Sequence, residues 1–320
     1  MHAIVARQSG GPEVLEYAEI EQPTPGPGQL LVKVAATGVN FIETYQRGGM
    51  YKVTYPFTPG SEAAGTVEAV GEGVEGIAVG SRVATAEGQE CYAEYTVLDA
   101  AKALPVPEGV DLHTAAALPL QGMTAHYLIN SSFRVEPGHT VLVHAGAGGV
   151  GLLLTQLLKS RGARVITTVS TAEKEQLART AGADEVLRYE GFAEAVRELT
   201  NGVGVNVVYD GVGKDTFDGS LASLRTRGFL VLFGAASGAV PPVDPQRLNA
   251  GGSLSLTRPK LADFLANPQE RLWRSSEVFS AVADGSLKVR IGASYPLAEA
   301  QRAHEDLEGR RTTGKVLLVP

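Results

Sequence analysis

Apolar positions along the chain change their spacing near residue 140. Before it, short alternating runs are cut by Gly and Pro. "QPTPGPGQLLVKVAATGVN" passes from a Pro/Gly loop into an alternating run at residues 30–36, which predicts a strand, and "GTVEAVGEGV" and "GSRVATAE" predict further strands joined by glycine turns. The expectation is a compact, mostly β, barrel-like module. "DLHTAAALPLQGMTAHYLINSSF" predicts a helical stretch that Pro119 breaks or kinks. Beyond it, strand candidates at 141–144, 164–168, 185–187, 205–209, 230–233 and 253–256 alternate with helical runs such as "TAEKEQLARTAG" and "GFAEAVRELT". That rhythm predicts an α/β, doubly wound parallel sheet with its ligand at the carboxyl ends of the strands. The tail predicts one long helical region and a last strand, "GKVLLVP", that returns to the first module.

The junction of the two patterns carries the first candidate chemistry. "HAGAGGVG" follows the apolar run Thr140-Val141-Leu142-Val143 and precedes Val150, Leu153, Leu154, Leu157 and Leu158 at helical spacing. A strand, a glycine turn and a helix start together make G-x-G-x-x-G a dinucleotide fingerprint rather than a common turn. Within Gly146-Ala147-Gly148-Gly149-Val150-Gly151, Gly146 is expected to permit the tight turn, Gly148 the close approach of pyrophosphate, and Gly151 the packing of helix on sheet. The helix N-terminus offers free N–H groups and its positive dipole end. An NAD site places Asp or Glu at the end of the second strand to hold the ribose 2′-hydroxyl. "VITTVSTAEK" has Ser170 there and Lys174 one turn later, a hydroxyl and an ammonium that suit a 2′-phosphate, so NADPH is the expected cofactor. Lys174 also reads as an ordinary solvated helix residue.

Composition narrows the class. The chain has length for about two domains. The net charge of -7 argues against a nucleic-acid partner. No apolar stretch nears the roughly 20 residues that span a bilayer, and the N-terminus lacks a signal-peptide core. Cys91 is the only cysteine, so no intrachain disulfide forms and the cytoplasm is the expected compartment.

These features converge on a resemblance. "TGVNFIETYQRGGMY", "PFTPGSEAAGTVEAVG", "HAGAGGVG", "YDGVG" and "AQRAHEDLEGRRTTGKVLLVP" resemble the zinc-free quinone oxidoreductase (zeta-crystallin-like) branch of the medium-chain dehydrogenase/reductase superfamily. The resemblance covers nearly the whole chain. It implies a GroES-like β-rich catalytic domain at 1–119 and 259–320, a Rossmann NADPH-binding domain at 120–258, and a homodimer through the nucleotide domain.

It also assigns candidate residues. Asn40 and Tyr45 are implied to line the nicotinamide and substrate cleft, with Tyr51 adding an aromatic wall and a phenolic donor. Asn40 alternatively caps the following helix. Thr124 is implied near the nicotinamide amide, or else bonds its own helix backbone. Ser170, Lys174 and Tyr189 are implied at the adenosine end, with Arg310 reaching the 2′-phosphate; Arg311 beside it is an open alternative. Gly211 is left with backbone contacts only, and Phe233, Gly234 and Arg258 are implied to border the nicotinamide, Arg258 being alternatively an ion-pair residue. Cys91 reads as packing, and Glu62 as a buried structural hydrogen-bonder rather than a proton relay.

Zinc members of the superfamily carry a Cys where this chain has Asn40 and a "GHE" where it has Gly60-Ser61-Glu62. Catalytic zinc needs three Cys, His or carboxylate ligands, and the histidines (His2, His113, His126, His139, His144, His304) show no ligand spacing, so no metal is expected. Without a Lewis acid an alkoxide is poorly stabilised, whereas a quinone accepts hydride readily and needs mainly proximity and orientation. The expectation is an NADPH-dependent quinone reductase. An enone or alkenal reductase is the nearest alternative, and a non-catalytic NADPH-binding structural or RNA-binding protein is the other.

Overall fold

The computed structural model describes residues 1–320, which divide into two compact units, Met1–Gln121 with Asn267–Pro320 and Gly122–Ala266. The segment 259–266 packs in the second unit rather than the first. Its helix Leu261–Leu265 is followed at once by the divide, and Phe264 stacks on Tyr127 at 4.2 Å between ring centroids. Only from the helix Pro268–Ala283 does the chain join the first unit, where Arg271 bonds Glu87 at 2.6 Å and the Ala101 carbonyl at 3.0 Å.

In the second unit, the strands Thr140–Val143, Arg164–Thr168, Glu185–Leu187, Val205–Asp210, Leu224–Leu232 and Ser255–Thr257 form a six-stranded parallel sheet. The first strand lies between the second and the fourth, so the order reverses beside it and opens the crevice where α/β sheets bind ligands. Near-continuous apolar runs form these strands because helices bury both faces: Leu142, Ile166, Val208 and Leu230 are wholly buried in one cluster. The fifth strand begins well before the expected position. Its start is hidden in the polar "RTRG", where Arg227 sits at φ 59° and the register slips between Val205 and Val207.

In the first unit a seven-stranded sheet runs Ile291–Pro296, Lys315–Val319, Gln29–Val39, Ala63–Val70, Arg82–Thr85, Leu104–Pro105, with Tyr95–Asp99 also paired to Gln29–Val39. The last strand does return here, with Leu318 opposite Thr37 and Val316 opposite Val39. The tail is not one long helical region. Between the helices Pro268–Ala283 and Ala300–Glu308 lies the strand Ile291–Pro296, whose Gly, Ala, Ser and Pro carry little strand propensity. The stretch around Pro119 is broken as expected, into Leu112–Ala117, Pro119–Tyr127 and a π-turn at Leu128–Ser132.

The glycine turn shows which glycines the fold itself requires. A Cβ on Gly146 would lie 2.0 Å from Thr167 Oγ1, which is held by its bond to the Val143 carbonyl at 2.6 Å. A Cβ on Gly151 would lie 2.3 Å from the Ala145 carbonyl. The left-handed residue of the turn is Ala145, at φ 54°, so Gly146 serves close approach rather than the turn itself. Gly148 is different: its nearest contact would be 3.2 Å away. Gly146→Ala and Gly151→Ala should each lower stability to urea by about 1–3 kcal/mol, with Gly148→Ala costing less because the Ala145 carbonyl need give way only slightly. Equal stability for all three would refute the assignment of close contacts.

Candidate active site

The nucleotide unit brings the glycine-turn candidates together at the switch point. Gly148 is the N-cap of the helix Gly149–Ser160, whose first N–H groups lack intrahelical acceptors. Beside it, the turn after the fourth strand is built on Asp210. This wholly buried carboxylate accepts from Val212 N at 2.8 Å, Gly213 N at 2.9 Å, Thr216 Oγ1 at 2.8 Å and Ser220 Oγ at 2.8 Å. Gly211 and Gly234 approach so closely that a Cβ on Gly234 would lie 2.4 Å from the Gly211 carbonyl, and the Phe233 ring covers Gly211 Cα. Ala147, Gly149, Val150, Gly211, Phe233 and Gly234 therefore border one rim of the sheet.

Ser170 is exposed just beyond the second strand, and Lys174 lies in the first turn of the helix Ala172–Thr180, which the Thr171 hydroxyl caps at 3.2 Å from Lys174 N. Tyr189 lies ring over ring with His144, centroids 6.2 Å apart. Thr124 is 7% exposed and does not bond its own helix backbone. Arg258 makes no ion pair; its Nη1 donates to the Pro259 carbonyl at 3.3 Å. Arg310 lies in the other unit, exposed and at φ 57°. Its neighbour Arg311 is engaged with Asp306 at 2.6 Å.

The first unit holds a buried polar cluster around Asn40. Lys315, the first residue of the last strand, is 1% exposed, and its ammonium donates to Asn40 Oδ1 at 2.7 Å and, in a short contact, to Glu62 Oε2. Asn40 Nδ2 donates to Glu62 Oε2 at 2.9 Å and, more weakly, to the Gly38 carbonyl at 3.4 Å. Glu62 Oε1 accepts from Leu120 N at 2.8 Å. Asn40 is thus held from both ends of its amide. Asn40 is also the N-cap of the helix Phe41–Arg47, in a capping box completed by Glu43, whose carboxylate accepts from Asn40 N at 2.8 Å and Ser61 N at 3.1 Å. Glu43 is wholly buried, and loss of hydration raises its pKa to about 7 despite the nearby Lys315.

The same helix presents Phe41 and Tyr45, which form an aromatic group with Tyr51 beyond its end: Tyr45 meets Tyr51 edge-on at 5.8 Å and Phe41 at 6.2 Å. Tyr51 is 42% exposed. Under the helix, Arg47 donates to His304 Nδ1 at 2.9 Å and to Glu308 at 2.7 Å, and His304 Nε2 lies 3.1 Å from the Tyr92 hydroxyl. Burial, then the Arg47 charge, push the His304 pKa down to about 3, so the ring is neutral and donates from Nε2. Cys91 is buried with its pKa pushed up to about 12, an inert packing thiol.

This donor set does not fit zinc. Asn40 and Ser61 are poor ligands, the Glu43 carboxylate is taken up by the backbone N–H groups of Asn40 and Ser61, and Glu62 is already paired with an ammonium that a divalent cation would repel. No group of three or more His, Cys, Asp or Glu is placed to hold a metal ion. Lys315, Glu43, Arg47 and His304 went unmarked in the sequence. A cation heading an otherwise apolar strand is the one signal that pointed to Lys315.

Two family patterns match the chain: "Alcohol dehydrogenase GroES-like domain" over residues 26–108 and "Zinc-binding dehydrogenase" over residues 149–264. The chain is 45% identical over 315 residues to a quinone oxidoreductase of Pseudomonas aeruginosa, covering 97% of each. It is 41% identical over 328 residues to a 2-haloacrylate reductase of a Burkholderia species, covering 99% of this chain and 98% of the other. A mycobacterial protein solved in complex with NADPH superposes with a TM-score of 0.98 at 55% identity, covering 100% of both chains.

Three buried groups set a pH dependence of stability. His144 and His304 have folded pKa values lowered to about 4 and about 3, so the stability they contribute is present above about pH 6.5 and is lost as pH falls. Glu43 is raised to about 7, so its contribution is present below about pH 4.5 and is lost as pH rises through 7. Between about pH 4.5 and 7 the two effects oppose each other: the histidines add stability as pH rises while Glu43 withdraws it. Glu43→Gln should therefore steepen the rise of stability between pH 4.5 and 7 in urea titrations. An unchanged slope in the variant assigns the opposing effect elsewhere.

Proposed function

The chain belongs to the quinone oxidoreductase branch of the medium-chain dehydrogenase/reductase superfamily, and we propose that it is an NADPH-dependent quinone reductase that works without zinc. The carrying observation is the Lys315 ammonium bonded to both Asn40 and Glu62, at the positions where zinc members of the superfamily hold their metal ligands. A fixed monovalent cation, 1% exposed, orders those side chains but offers no open coordination position to an alkoxide. The acceptor must therefore be electron-poor by its own structure, as a quinone is.

The nucleotide unit fits the cofactor. Gly148 leaves open the space that a Cβ would fill at the helix N-terminus, so the pyrophosphate can reach the backbone N–H groups there. Ser170 and Lys174 would hold the 2′-phosphate by hydroxyl and ammonium. When bound, NADPH supplies the hydride. The protein's own part is orientation. Within the nucleotide unit Phe233, Gly211 and Gly234 would border the ring end and Thr124 would bring a hydroxyl. Within the β-rich unit Tyr45 and Tyr51 offer a flat aromatic surface and a phenolic donor that suit a conjugated acceptor. Asn40, saturated within the protein, positions the helix that carries Tyr45. A homodimer formed through the nucleotide unit and a cytoplasmic setting belong to the same reading, the latter supported by the free thiol of Cys91.

The 2-haloacrylate reductase relative favours one second reading, reduction of a conjugated double bond. Steady-state rates with NADPH should be higher for 1,4-benzoquinone than for an α,β-unsaturated ketone or acid, and unchanged by a chelator; the reverse preference would sink the quinone assignment. Lys174→Ala should raise KM for NADPH by about tenfold and leave KM for NADH unmoved. Equal effects on both cofactors would remove Lys174 from the phosphate site.

A further inference from the structure

His144 directly follows the first strand of the nucleotide unit, 1% exposed, and neither a phosphate cradle nor a glycine turn requires an imidazole there. Its ring is bonded at both nitrogens. Nδ1 lies 2.8 Å from Thr168 Oγ1, and Nε2 lies 3.0 Å from Ser220 Oγ. Ser220 fixes where the protons are. Its hydroxyl donates to Asp210 Oδ2 at 2.8 Å, so its oxygen accepts from Nε2–H, and Nδ1 must accept from the Thr168 hydroxyl.

Both ends of this chain terminate in cofactor-side turns. The Thr168 carbonyl accepts from Gly146 N at 3.0 Å, and the Asp210 carboxylate holds Val212 N and Gly213 N. One polarised series of bonds therefore runs from the glycine turn, through the imidazole, to the turn after the fourth strand. A neutral imidazole accepts at one ring edge and donates at the other while presenting two flat faces. The flatness is used: Tyr189 lies over the ring and Phe192 meets it edge-on at 4.8 Å. Burial holds the ring neutral at physiological pH, its pKa lowered to about 4.

We infer that neutral, Nε2-protonated His144 is a positioning residue that fixes the spacing of the glycine turn and the Asp210–Gly213 turn, and that NADPH affinity depends on this coupling. The inference rests on the reading that a dinucleotide occupies the glycine turn. His144→Phe keeps the ring and removes both nitrogens. It should raise the Kd for NADPH by about tenfold, with KM for quinone at saturating NADPH unchanged. Thr168→Val should raise Kd by a smaller factor and add nothing in the His144→Phe background, because its hydroxyl acts through the ring, whereas Ser220→Ala also removes the direct bond to Asp210.

Additive effects, or an unchanged Kd in a His144→Phe variant with the wild-type thermal midpoint, would overturn the coupling. If His144→Phe fails to fold, the Thr168→Val/Ser220→Ala double variant carries the test. It should be no weaker than the worse single variant, and additivity refutes the inference. In 15N-histidine spectra, the resonance that moves in Ser220→Ala should report Nε2–H; an Nδ1–H ring is the contrary result. Failure of the wild type to bind NADPH would sink the dinucleotide reading instead, and the tautomer spectrum would still judge the hydrogen-bonded chain.

Discussion

The β-rich unit is organised by a single ammonium. Lys315 is buried to 1% exposure beside Glu62 and Asn40. Removing an ammonium and a carboxylate from water costs several kcal/mol each, and the pair is tolerated only because every polar atom around it is satisfied. Leu120 N and the Asn40 amide complete the shell of Glu62, and the Asn40 amide is locked in turn. The consequence is geometric. The last strand of the chain, the helix start at Phe41 and the segment after Gly60 are tied at one point, and the aromatic surface of Phe41, Tyr45 and Tyr51 grows from that point.

The nucleotide unit handles buried charge in the opposite way. Asp210 has no cation beside it; backbone N–H groups and the hydroxyls of Thr216 and Ser220 surround the carboxylate. Dipoles can do this because the carboxylate sits at the carboxyl end of a strand, where the next turn offers its N–H groups unpaired. A lysine in the same place would attract the cofactor phosphates away from the helix N-terminus. Buried charge is thus matched by charge where side chains must be anchored, and by dipoles where an anionic ligand must approach.

How much of this was legible follows from the distance over which each feature is determined. The parallel sheet was readable because its strands and helices are set by local periodicity, and Thr140–Val143, Arg164–Thr168 and Glu185–Leu187 fall where apolar runs place them. The strand Ile291–Pro296 was not, because its pairing with Lys315–Val319 rather than its composition makes it a strand. Asn40 was marked as a candidate site residue, but the partner that saturates its side chain, Lys315, lies 275 positions away and left no local signal. Glu43 carried no signal, since a carboxylate at the third position of a helix is ordinarily a solvated cap. Here the chain after Gly60 closes over it.

The absence of a fitting metal set and the presence of an aromatic wall act on the same choice. A metal would let an enzyme of this architecture draw charge from an unactivated carbonyl, at the cost of demanding an oxygen in one coordination position. Replacing it with a buried, fully bonded ammonium removes both the pull and the demand. What remains to discriminate acceptors is shape and the acceptor's own electron deficiency. Flat conjugated rings and activated double bonds satisfy both conditions, which is why one scaffold suits relatives named for quinones and for haloacrylates. In the proposed reading, selectivity between them falls to the aromatic surface of Tyr45 and Tyr51.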